Sequence, residues 1–136
     1  MRRPISDRVH GVLDYALVAV FLNAPLVLGL HGSAAAIAYW LAGIHLLLTG
    51  FTKFRLGVFR LIPFKIHGAI ELVAGVFVLV APWIFGFAGN SAPRNCFLVI
   101  GVVILLVFAF SDYSQRVEPP PPDPNDRRRW RGASSS

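Results

Sequence analysis

A single cysteine, Cys96, stands in the 136 residues, so no disulfide closes within the chain and no Cys pair is available for thiol chemistry. Charge is scarce as well. Asp, Glu, Lys and Arg make up 15% of the chain, against roughly 25% in soluble globular domains. Also missing are a phosphate loop, a dinucleotide fingerprint, an HExxH zinc helix and a nucleophile motif. A catalytic reading therefore has no residues to stand on, and neither an enzymatic activity nor a resident cofactor is expected.

Long apolar runs are what the chain has instead. Hydrophobic residues account for 55% of it, and four segments, 9–30, 34–52, 64–87 and 96–113, come close to or exceed the ~20 mostly apolar residues that a membrane-crossing helix needs. Helix is the expected state, because backbone amides in hydrocarbon find partners only within their own segment. A cleaved signal at the N-terminus is disfavoured: the first run is longer than the ~7–15 residues of a signal core, and it recurs later in the chain.

The net charge of +6 reads at first as a nucleic-acid footprint, but its distribution argues for a membrane. Arg2, Arg3 and Arg8 precede the first run. Lys53, Arg55, Arg60 and Lys65 lie between the second and third, and Arg116, Arg127, Arg128, Arg129 and Arg131 follow the fourth, leaving Arg94 alone on the other side. By the positive-inside rule both termini and the middle loop are expected in the cytoplasm of a bacterial inner-membrane protein, with no nucleic-acid partner.

The stretch RVHGVLDYALVAVFLNAPLVLGL (8–30) is rewritten as KIHGAIELVAGVFVLVAPWIFGF (65–87) at an offset of 57 residues. His10/His67, Gly11/Gly68, Ala24/Ala81, Pro25/Pro82 and Gly29/Gly86 coincide, and Asp14/Glu71 keep their charge. The similarity continues into the second run of each unit, with Phe51-Thr52-Lys53-Phe54 lying opposite Phe110-Ser111-Asp112-Tyr113. The fold class expected is thus all-α and membrane-spanning: two tandem helical hairpins in parallel repeat, closing into a four-helix bundle. The membrane domain covers 1–113, with unit one at 6–55 and unit two at 63–113. Residues 114–136, rich in Pro and Arg, read as a disordered cytoplasmic tail whose Arg127, Arg128, Arg129 and Arg131 suit anionic lipid.

The pattern His67-Gly68-x-x-Glu71, then an apolar run, then Ala81-Pro82-Trp83-x-x-Gly86-Phe87, resembles the SPW repeat family of small membrane proteins, with Ala81 in place of the serine. His10, Gly11, Asp14, Ala24, Pro25 and Gly29 are the first-unit counterparts, with Leu26 where the tryptophan would stand. The resemblance implies two-helix membrane repeats with the proline-tryptophan motif in the first helix of each pair. It brings no reaction, ligand or partner.

Three groups of residues could carry chemistry. Pro82 and Trp83 read as a structural joint with an interfacial ring. His10 with Asp14, and His67 with Glu71, are spaced i, i+4 and share helical faces. Two imidazoles and two carboxylates suit a metal, but helix-end electrostatics account for them equally simply, and the sequence favours that reading. His45, Thr49 and Asp14 form a candidate intramembrane polar site, since Ala38, Ala42, His45, Thr49 and Thr52 make one small and polar stripe that should face protein.

The leading expectation is a non-enzymatic structural or interaction module whose partners are the bilayer and a second copy of the chain. The alternative is a small permease or proton-coupled conductor using Asp14, His45 and Glu71. The third is a haem- or metal-binding redox protein.

Overall fold

The computed structural model describes residues 4–114. The expectations placed on the tail, including Arg127, Arg128, Arg129 and Arg131, lie outside the described residues. Four helices follow in chain order: α1 (Asp7–Leu28), α2 (Gly32–Phe51), α3 (Phe64–Ile84) and α4 (Ser91–Phe110). Each has 20 to 22 residues, about 30 Å at 1.5 Å per residue, and each is apolar enough to cross a membrane.

Local chemistry sets the ends. Ser6 caps α1 by accepting from the Val9 amide, and Asn90 caps α4 by accepting from Ala92, each cap being worth about 1 kcal/mol. α4 therefore opens at Ser91, several residues before the apolar run itself. Pro93 falls in its first turn, where a missing amide proton costs little.

The paired Pro and Gly residues explain the other ends. Pro25 O accepts from Leu30 N at 2.9 Å, and at the matched position Pro82 O accepts from Phe87 N at 2.9 Å. Between donor and acceptor the chain must reverse hand, and Gly29 (φ 60°) and Gly86 (φ 74°) do so. Without a Cβ they adopt this conformation at no steric cost. This is why α1 stops at Leu28 and α3 at Ile84, each short of its apolar run.

α1 packs chiefly on α2 and α3 on α4, with lesser α1–α4 and α2–α3 contacts joining the hairpins. The core holds Phe21, Phe97, Val78 and Ile104 beside the small residues Ala34, Ala38, Ala42 and Ala81. Leu26, Val27, Trp40, Leu47, Val73, Trp83, Ile84 and Val99 face outward and exposed. Outer faces this apolar suit lipid and not water. In lipid, however, apolar burial no longer drives helix association, so close packing and polar contacts must hold the bundle together.

Two backbone clasps close one end. Leading into α3, Ile62 N donates to Phe51 O at 2.8 Å and Ile62 O accepts from Lys53 N at 2.7 Å. Leading into α1, Ile5 N donates to Phe110 O at 3.1 Å and Ile5 O accepts from Asp112 N at 2.9 Å. Thr52 and Ser111, each inside a clasp, are thereby pressed into the bundle and fully buried.

Candidate metal centre

The clasped end surrounds a polar centre. The i, i+4 spacing puts His10 and Asp14 on the inner face of α1, and His67 and Glu71 on the inner face of α3. All four residues are at most 1% exposed. His10 Nε2 lies 3.2 Å from His67 Nε2, 3.4 Å from Asp14 Oδ2 and 3.5 Å from Glu71 Oε2. His67 Nε2 lies 3.2 Å from Asp14 Oδ2. One ligand atom from each of the four falls within 4.8 Å of all the others.

The tautomers of both imidazoles follow from the hydroxyls behind them. Ser111 Oγ donates its one proton to Val107 O at 2.6 Å. In its 2.6 Å contact with His10 Nδ1 it must therefore accept. Thr52 Oγ1 likewise donates to Leu48 O at 2.6 Å and accepts from His67 Nδ1 at 2.8 Å. Each ring thus carries a proton on Nδ1 and turns its Nε2 toward the centre, where that nitrogen offers a lone pair to a cation whenever it is unprotonated. The hydroxyls cross over: α1's histidine is held from the end of α4, and α3's from the end of α2.

The carboxylates are held too. Tyr113 donates to Glu71 Oε2 at 3.0 Å, and Thr49 donates to Asp14 Oδ2 at 3.4 Å. Burial first, and then the neighbouring Glu71 carboxylate, push the Tyr113 phenol well above its usual range, so it stays a proton donor. The glycine after each histidine makes room for a ring. A Cβ on Gly11 would strike Phe54, and one on Gly68 would strike Tyr113. Phe64 packs edge-on against His10, with ring centroids 4.9 Å apart.

Two imidazole Nε2 atoms and two carboxylates converging in one buried cluster form a pocket suited to a cation. Were both carboxylates ionised, they would repel by about 3–4 kcal/mol at an effective dielectric of 20, on top of several kcal/mol of desolvation for each ion. A cation relieves both costs. Four of the six donor separations, 3.2 to 3.5 Å, are close to the edge of a tetrahedron around one ion, about 3.3–3.4 Å for bonds of ~2.0–2.1 Å, and the other two lie within 4.8 Å.

The other sequence candidates fall into two groups. His45 and Thr49 are buried and extend the centre along α2, with His45 Nε2 3.5 Å from Asp14 Oδ1. The stripe read from Ala38 to Thr52 does face protein. Ala24, Pro25, Gly29, Ala81, Pro82, Gly86 and Phe87 lie toward the opposite end of the helices, where they terminate and pack them. Trp83 is exposed there. Ser111 and Tyr113 were not singled out from the sequence. Their signal was the alignment of Ser111 with Thr52, a hydroxyl at both matched helix ends.

Four apolar spans around a buried acid–imidazole centre define a multi-pass integral membrane protein. The model of the SPW repeat domain matches residues 8–111, and the chain belongs to that family. No curated protein and no solved structure matches it.

Proposed function

We propose that this is a non-catalytic membrane module that holds one divalent transition-metal ion between its two hairpins, with His10, His67, Asp14 and Glu71 as ligands. The observation that carries the reading is the pair of hydroxyl locks. Thr52 and Ser111 spend their protons on backbone carbonyls, which holds both Nδ1–H groups outward and turns both Nε2 atoms to face each other at 3.2 Å. Two Nε2 lone pairs at that distance repel unless a cation, a shared proton or a metal ion, lies between them. Imidazole anchored through its other nitrogen is the usual posture of a metal-ligating histidine. The four donors divide evenly between the hairpins, so the ion would staple α1 to α3 where lipid supplies no hydrophobic drive. On this reading the chain is a duplicated hairpin, and the centre sits at the cytoplasmic end of the bundle.

Purification in mild detergent without chelators, followed by elemental analysis, should find about one first-row metal ion per chain. His10→Ala and His67→Ala should each remove it. A wild-type protein that takes up no zinc, iron, manganese or cobalt would overturn the reading.

A second reading, a proton-coupled conductor, draws support from His45 lying 3.5 Å from Asp14 Oδ1 inside the bundle. Proton flux in proteoliposomes that is lost in His45→Gln, from protein free of metal, would favour it over the metal module.

A further inference from the structure

His45 is the residue that neither the packing nor the four-donor centre explains. It is 95% buried, and its Nε2 has no hydrogen-bond partner among the described residues. A buried polar atom without a hydrogen bond is destabilising, and the fold does not require one here. The matched position in the other hairpin is Val103, in an equally regular helix. The imidazole is also aimed at something. Its Nε2 faces Asp14 Oδ1 at 3.5 Å, and its ring centroid is 6.4 Å from that of His67.

Asp14 is the hinge of the argument. Its Oδ2 is turned to His10 and His67, and its Oδ1 is turned to His45. Its counterpart, Glu71, is one methylene longer and is steered by Tyr113 at 3.0 Å, whereas the residue matched to Tyr113 in the other hairpin is Phe54, and Asp14 is held through Oδ2 alone, by Thr49 at 3.4 Å. An ion bound through Oδ1 of Asp14 would lie toward α2. There, a nitrogen 3.5 Å from Oδ1 subtends about 110° at an ion with bonds of ~2.1 Å, an ordinary angle between neighbouring ligands.

We infer that His45 is a further metal ligand, making the centre a lopsided site of three imidazoles and two carboxylates that takes a divalent ion tolerant of more than four ligands. This rests on the metal reading above. The fifth donor moves the preference away from a closed tetrahedral zinc site and toward iron(II), manganese(II) or cobalt(II), which accept higher coordination with mixed nitrogen and oxygen donors.

Cobalt(II) tests this directly, because its visible absorption is strong in four-coordinate tetrahedral sites and weak in five- or six-coordinate ones. Full-length protein in detergent is stripped with chelator and titrated with cobalt(II), alongside His45→Val, which copies the residue of the other hairpin, and His45→Gln, which keeps a polar side chain. The expected result is a weak spectrum for the wild type, a shift to the intense tetrahedral spectrum in both variants at the same stoichiometry, and affinity lower by roughly ten- to a hundredfold. X-ray absorption should count three imidazoles in the wild type and two in the variants. If wild type and variants bind cobalt(II) with the same spectrum and affinity, His45 is not a ligand and the four-donor centre stands alone. If the wild type binds no cobalt(II), the metal reading itself falls.

Discussion

At the scale of single residues, the hydroxyls of Thr52 and Ser111 matter for what they do with one proton each. Thr52→Val and Ser111→Ala keep the shape of the helix ends but leave the Nδ1 proton of His67 or His10 without an acceptor. Each substitution should leave helicity unchanged and weaken metal binding by roughly ten- to a hundredfold, as loss of a supporting partner does elsewhere. Isothermal titration of stripped protein checks this. The two glycines after the histidines give a second test. Gly11→Ala forces the Phe54 ring aside, and it should lower the melting temperature. Phe54→Ala in the same chain should restore part of the loss, because neighbours sharing one space are not additive. The histidines and carboxylates were legible in the sequence through their i, i+4 spacing and repetition. Their convergence was one of two readings, the less favoured, because a repeat with a two-fold axis allows it but spacing fixes only the face of a helix and not which neighbour that face meets. Ser111 was hidden for a similar reason, since a serine at a helix end carries no sign of the ring it will support.

Elements obey a simpler logic. The four spans follow from hydropathy alone, and the structure has helices in all four places. Their ends depended on caps that hydropathy does not register, which is why α4 starts at Ser91 and α1 stops at Leu28. The Pro–Gly pairing can be tested at this scale. Gly29→Ala or Gly86→Ala puts a Cβ on a left-handed residue, at a cost of about 1–2 kcal/mol. Either change should lower the melting temperature by several degrees while leaving metal content intact, because the helix terminators sit toward the far end from the centre. A loss of metal in Gly86→Ala with unchanged stability would contradict that separation. The Ala-Pro-Trp motif then marks where a helix turns back, and the His-Gly-x-x-acid motif marks where it meets its partner.

For the whole molecule, orientation in the bilayer is the first question. The placement of basic residues predicts that the clasped end and the loop around Arg55 and Arg60 face the cytoplasm. In a Cys96-free background, an impermeant thiol reagent on intact cells should label cysteines introduced at Ser33 and Asn90, and should fail to label one at Arg55. The reverse pattern would invert the topology and place the acid–imidazole centre at the outer face.

The clasps have a consequence for how the chain is threaded. Ile5 is bonded to Phe110 and Asp112 just as Ile62 is to Phe51 and Lys53, so the two ends of the membrane domain meet in the same way as the two hairpins meet at the middle loop. The bundle is in effect a ring that happens to be cut between Asp112 and Ile5. Cutting it instead near Arg55 and joining the old ends with a short linker should give a circular permutant with the same four helices. Two separately translated hairpins are the limiting case. Each brings one imidazole and one carboxylate, half of a centre, and neither should retain metal until the other is made in the same membrane.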